Sequence, residues 1–270
     1  MSITIGGMMR VSVISYSFFP MTRTGIMDTF GYLETVRYRY DLRAADLWNW
    51  TMDSIDDDYV QAVRRGLIER ELALANFSLD GCHVWEKDPG ARKFNHRNAL
   101  ANLRAAEIMG AQTVRIDTGG PADVSHYTNQ QFDHIVMRYR EYAQRAYDNG
   151  YRVGPENHWG PERFPQELQR LSEAVDHPGF GILLHAGLWD VDADQGDRML
   201  ASWVMHTHLT ESLTDDALAE VIATLDAAGY EGGWTAEVEK GATYVSAGLL
   251  IARIQRVLES RRLGDQRTLT

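Results

Sequence analysis

Short apolar runs alternate with longer amphipathic segments along the whole chain. Runs rich in β-branched side chains read as strands, and segments whose apolar positions recur every three to four residues read as helices. The pattern predicts strands at 10–16, 41–49, 72–78, 113–117, 152–157, 181–187, 203–209 and 234–238. Between and after them it predicts helices at 25–37, 56–70, 95–109, 129–149, 165–174, 194–200, 214–228 and 245–261. Glycine follows the last turn in Met109-Gly110, Asn149-Gly150 and Ala228-Gly229, and Thr214 with Asp215 and Asp216 suits a helix start. Continuous apolar runs suit parallel strands covered on both faces.

Eight strand–helix units without a composition break predict one α/β domain, a (β/α)8 TIM barrel over 10–262. Residues 1–9 read as a leader and 263–270 as a tail. A doubly wound sheet is the competing fold, weakened by the absence of a G-x-G-x-x-G after an early strand.

Composition narrows the function. The 270 residues carry a net charge of -11 with no basic block, which disfavours nucleic acid. A single cysteine, Cys82, excludes an intramolecular disulfide and fits a reducing, cytoplasmic setting. No apolar stretch approaches the roughly 20 residues of a membrane span.

In an α/β barrel the chemistry sits at the C-terminal strand ends. The fifth strand ends Glu156-Asn157-His158-Trp159, and the sixth contains His185. The seventh reads His206-Thr207-His208-Leu209-Thr210-Glu211, and the eighth Glu237-Val238-Glu239-Lys240. Glu156 and His158 share a strand face, as do His206 and His208, and Glu237 and Glu239. If one member of each pair points into the barrel mouth, two carboxylates and two imidazoles can converge, a donor set for a first-row divalent ion. Buried glutamates need partners, so Glu156 and Glu237 carry most of this reading, whereas a lone histidine at a strand end is commonly structural. His206, one layer deeper than His208, suits a supporting role. Trp48, Trp85, Trp159 and Trp189 fall at or just after strand ends, where aromatic faces suit a sugar ring or a flat aglycone. His83 and Trp85 after the third strand, Asp117 after the fourth, Glu211 and Lys240 complete the candidate substrate contacts.

These segments, together with Gly229-Tyr230-Glu231-Gly232 leading to Glu237, resemble the sugar isomerase/epimerase barrels over about residues 10 to 260. That group includes xylose isomerase-like sugar-phosphate isomerases, tagatose/psicose 3-epimerases, inosose dehydratases and endonuclease IV. The resemblance implies one divalent metal held by Glu156, His185, His208 and Glu237, with the two glutamates also exchanging protons with the substrate. His185 stands where the family has aspartate, and Leu188 where it has a histidine. The change removes a negative charge and shifts preference toward Mn²⁺, Zn²⁺, Fe²⁺, Co²⁺ or Ni²⁺, with Mg²⁺ less favoured. The function implied is isomerisation or epimerisation of a sugar-like hydroxy-carbonyl compound through an enediolate. Glu156, Glu237 and His158 are the candidate acid/base groups. A metal-dependent lyase or dehydratase on an oxidised sugar, akin to C-glycoside deglycosidase catalytic subunits, is the alternative, and a non-catalytic sugar-binding barrel the second. Homo-oligomers are common in that group.

Overall fold

Every predicted apolar run contains a parallel strand: β1 (Val11–Val13), β2 (Ala44–Trp48), β3 (Ala73–Leu79), β4 (Thr113–Ile116), β5 (Arg152–Gly154), β6 (Ile182–His185), β7 (Val204–Thr210) and β8 (Trp234–Glu237). The computed structural model describes residues 11–238 and 241–268, so the leader read at 1–9 lies outside the described residues. Two four-stranded sheets, ordered β1-β8-β7-β6 and β2-β3-β4-β5, meet at both edges. Ile14 bridges to Asp46 on one side, and Val153 to Phe180 and Glu156 to Leu183 on the other, closing the barrel. Closure excludes the doubly wound sheet.

The β5–β6 seam rests on close backbone approach. A Cβ on Gly154 would stand 1.7 Å from the Gly181 carbonyl oxygen. Only glycine lets the fifth strand lie against its neighbour there.

The principal helices are α1 (Phe19–Arg23), α2 (Thr29–Glu34), α3 (Asp57–Glu69), α4 (Pro89–Met109), α5 (Asn129–Asp148), α6 (Pro165–Val175), α7 (Ala193–Leu200), α8 (Asp215–Ala227) and α9 (Tyr244–Thr268). Three depart from the sequence pattern. Helix α9 continues to Thr268, through most of the stretch 263–270 read as a tail. The predicted first helix starts later, because the Asp28 carboxylate accepts the Gly31 N–H at 2.7 Å and begins α2, while α1 forms a separate short turn before it. Helix α4 begins earlier, at Pro89, because Asp88 caps the Ala91 N–H at 2.7 Å. Among the described residues no helix is long and apolar enough to cross a membrane.

The barrel interior is polar, contrary to the expectation of strands apolar on both faces. On β1, β2, β3 and β7 apolar residues such as Val11, Val13, Ala45, Leu47, Phe77 and Leu209 alternate with Ser12, Asp46, Asn76, Ser78, His206 and His208, all buried. Ser12 Oγ lies 2.6 Å from Thr235 Oγ1, which lies 2.7 Å from His206 Nε2. His206 Nε2 is 2.8 Å from Asp46 Oδ2, and Asn76 Nδ2 donates to Asp46 Oδ1 at 3.1 Å. Strands β7 and β2 are not neighbours in the sheet order, so this chain of contacts crosses the interior. The alternate apolar residues belong to the hydrophobic core instead.

Candidate metal centre

Adjacent strand ends deliver four donors to one point. Glu156 is bridged to Leu183 of β6, His185 is the register partner of His208, and Glu237 pairs with Thr210 of β7. One ligand atom from each of Glu156, His185, His208 and Glu237 lies within 4.8 Å of the others, and all four residues are buried. Glu156 Oε1 is 3.1 Å from His185 Nδ1 and 3.0 Å from His208 Nδ1, and Glu237 Oε2 is 2.9 Å from His208 Nδ1. Asn157 locks the arrangement: its Oδ1 accepts the His185 backbone N–H at 2.6 Å and its Nδ2 donates to the His185 carbonyl at 2.9 Å.

These residues fit a divalent cation. Glu237 Oε2 is buried and makes no hydrogen bond, meeting only the His208 and His185 imidazoles at 2.9 and 3.9 Å, so a cation at the centre would satisfy it. The site also favours positive charge at its centre. Burial pushes His208 down, but the carboxylates of Glu156 and Glu237 and the bond to Asp46 outweigh it and raise the imidazole well above its ordinary range. Glu156 is the counterpart: burial opposes its ionisation, and His158 and His208 with hydrogen bonds from His158 and His185 hold it well below the usual carboxylate range. Two carboxylates and two imidazoles make a mixed set suited to Mn²⁺, Fe²⁺, Co²⁺, Ni²⁺ or Zn²⁺.

Two supporting layers were not foreseen from the sequence. Behind His208 sits Asp46, fully buried, with Oδ2 3.2 Å from His208 Nε2. Burial raises the Asp46 carboxyl, yet bonds from His206 and His208 bring it down to about 2. Beside Glu156 lies the buried guanidinium of Arg115. Its Nη1 donates to Asp80 Oδ1 at 2.8 Å and to Asp117 Oδ2 at 2.6 Å, and its Nε lies 3.3 Å from Glu156 Oε2. The sequence signal for both is a charged residue inside an apolar run, Ala45-Asp46-Leu47 and Val114-Arg115-Ile116. Further out, the buried Glu162 accepts the Thr118 N–H at 2.6 Å. Burial and then the Asp117 charge push its carboxyl well above the ordinary range.

His158 is bracketed by carboxylates, Nδ1 at 2.9 Å from Glu156 Oε2 and Nε2 at 3.4 Å from Asp117 Oδ2. Burial lowers its affinity for a proton, but Glu156 and Asp117 outweigh burial and raise it to about 10. A proton held this firmly suits His158 to the acid half of the acid/base role expected for it. Because the raised group stabilises the fold while protonated, its contribution is complete below its ordinary 6.5 and fades as pH rises toward about 10. In metal-stripped protein, urea unfolding will show wild type exceeding His158→Gln in stability at pH 6, with the gap closing by about pH 10. A gap independent of pH counts against the charge pairing.

The centre opens into a cavity of about 430 Å³ lined by Ile14, Tyr16, Trp48, Leu188 and Trp159 on its apolar parts and by Asp80, Arg115, His158 and the four donors on its polar parts. Trp48 packs edge-on against Tyr16 and Phe19, with ring centroids 5.1 and 5.0 Å apart. Trp159 is half-exposed, its Nε1 donating to the Gly120 carbonyl at 2.9 Å. The other sequence candidates lie elsewhere. Trp85 packs under Arg92 and against His134, Trp189 donates to Asp197 at 2.7 Å, and neither lines the cavity. Asp117 lies behind Arg115 and accepts the Glu156 N–H at 3.3 Å, rather than lining the cavity. His83 sits 3.6 Å from Glu86 and within reach of Asp80 and Asp117. Glu211 is exposed past the end of β7, and Lys240 lies outside the described residues.

A family model described as a xylose isomerase-like TIM barrel matches residues 39–260. The chain belongs to that family. Among curated proteins none matches it in sequence. Solved structures share the barrel at low identity. D-psicose 3-epimerase from Clostridium cellulolyticum, solved with D-tagatose, is 16% identical with a TM-score of 0.73, covering 94% of this chain and 99% of that one. A 3-keto-D-glucoside 4-epimerase from E. coli is 12% identical with a TM-score of 0.74, covering 93% and 100%. A probable 3-DHS dehydratase from Bacillus anthracis is 16% identical with a TM-score of 0.62, covering 92% and 98%. This xylose isomerase-like barrel thus shares its fold with both epimerases and a dehydratase, and its buried glutamate–histidine group could hold a metal ion.

Proposed function

We propose that this xylose isomerase-like barrel is a divalent-metal-dependent isomerase or epimerase of a small sugar-like hydroxy-carbonyl compound. The observation that carries the reading is the convergence of Glu156, His185, His208 and Glu237 beneath one cavity, two carboxylates and two imidazoles with donor atoms within 4.8 Å of one another. An ion held by these donors would polarise the substrate carbonyl and favour charge on its oxygen. Glu156, held ionised, is a ready acceptor for the proton on the carbon beside that carbonyl. Glu237, brought in by β8 three strands away in the barrel, is placed to return a proton to the other face, which inverts the centre. Return to the neighbouring carbon instead gives an aldose–ketose isomerisation. Asn157 and Asp117 fix the donors, and Trp48 and Trp159 form part of the wall beside the polar floor.

One observation favours a second reading. His158 is a proton donor beside Glu156, so a proton removed by one group and delivered by the other to a departing hydroxyl gives a dehydratase. Incubating D-fructose and D-tagatose with Mn²⁺- or Co²⁺-supplemented protein in D2O separates the outcomes. Deuterium at the carbon next to the carbonyl, read by NMR with epimer formation, is the expected result. An unsaturated product absorbing in the ultraviolet indicates the dehydratase. Neither exchange nor turnover across a ketose and keto-glycoside panel indicates a sugar-binding barrel without catalysis.

A further inference from the structure

The buried Asp46 has no place in the ring of four donors, yet its carboxylate lies wholly inside the barrel. A carboxylate so buried is tolerated only where side chains engage its oxygens. Its oxygens are engaged by three side chains: Asn76 on Oδ1, and His206 and His208 on Oδ2. The contact with His208 is the informative one. Asp46 lies 3.2 Å from Nε2, while Nδ1 of the same ring points at Glu156 Oε1 and Glu237 Oε2, 3.0 and 2.9 Å away. With a divalent ion facing Nδ1 the imidazole would be neutral, its one proton on Nε2, where Asp46 accepts it. The Nδ1 lone pair is then directed into the donor set.

We infer that Asp46 is a positioning residue that presents His208 to the metal through Nδ1 and adds a third negative charge one hydrogen bond behind the two glutamates. The inference rests on the metal reading of the site. It also bears on His185: with two histidines in the ring, the charge that a third carboxylate ligand would bring is supplied from the layer behind. A carboxylate behind a ligating imidazole fixes its orientation and raises its basicity, and its loss typically weakens metal binding 10- to 100-fold. The placement follows from the fold. Strand β2 shifts register between Ala45 and Asp46, and the Tyr32 hydroxyl clamps this point, donating to the Val13 and Asp46 carbonyls at 2.6 and 2.8 Å.

The test is Zn²⁺ affinity by competition with a chromophoric chelator, for wild type and Asp46→Asn, with circular dichroism and thermal unfolding to establish that the variant is folded. The variant keeps the shape and loses the charge, so about a 10- to 100-fold weaker affinity is expected. A second measurement needs no variant: long-range ¹H–¹⁵N correlation spectra of Zn²⁺-loaded wild type will show His208 protonated at Nε2 and metallated at Nδ1. Wild-type binding with an unchanged affinity in folded Asp46→Asn, or a His208 signal protonated at Nδ1, overturns this inference alone. Failure of wild type to bind Zn²⁺, Co²⁺ or Mn²⁺ overturns the metal reading and this inference with it.

Discussion

A Glu156→Ala, Glu237→Ala double variant will purify without the divalent ion that wild type retains, read by elemental analysis per subunit, and its turnover will fall by about 10³-fold or more. The two side chains supply both carboxylates of the four-donor group. Their removal leaves two imidazoles, and the charge that attracts the ion goes with them. The variant should nonetheless fold. Deleting both carboxylates frees His208 from the charges that raise its proton affinity, so burial returns that imidazole toward the neutral form it tolerates best. Single variants grade the effect. Glu156 also faces Arg115 and His158, so Glu156→Ala leaves two cations short of a partner, whereas among the described residues Glu237 meets only the imidazoles of His208 and His185. Glu156→Ala should therefore lose stability as well as metal, and Glu237→Ala chiefly metal. An undiminished metal content in the double variant removes the ligand assignment.

Arg115→Met will destabilise the protein by about 3–5 kcal/mol, the usual result of taking one partner from a buried ion pair. The guanidinium is buried among three carboxylates, Asp80, Asp117 and Glu156, and methionine keeps much of its length while removing the arginine that, among the described residues, alone contacts them. Burial pushes Asp80 upward and Arg115 overrides it, so the folded carboxyl sits below its unfolded value. A depressed carboxyl stabilises the fold above its unfolded range near pH 4 and loses that contribution as pH falls through the folded value. The gap between wild type and Arg115→Met, measured by urea unfolding, should accordingly be widest near neutral pH and shrink toward acid. Metal affinity should fall as well, since Arg115 helps to orient Glu156. A gap below about 1 kcal/mol at pH 7 indicates that water or rearranged histidines take over the guanidinium's role.

The same residues show where sequence reasoning stops. The chain order of strands and helices and the closed barrel could be read from local patterns, and strand ends at equivalent levels brought carboxylates and imidazoles to one face, but which four of them meet came from the family resemblance. Cap chemistry was less visible: Asp28 and Asp88 start helices only because their carboxylates find backbone N–H groups three residues on. The aromatic residues divided in a way no spacing foretold. Trp48 and Trp159 reach the cavity, whereas Trp85 and Trp189 are drawn into packing by Arg92 and by Asp197.

By itself the sequence determined the α/β alternation and the family resemblance, and that resemblance singled out Glu156, His185, His208 and Glu237, whose donor atoms lie within 4.8 Å of one another in the fold. The polar interior was decided by tertiary structure alone. Asp46, Asn76, Thr113 and Arg115 look like interruptions of apolar strands, and their partners lie between 2 and 162 residues away in the chain. Barrel closure turns alternate strand positions inward and brings non-adjacent strands within hydrogen-bond reach. A buried charge is tolerable only once those partners have arrived.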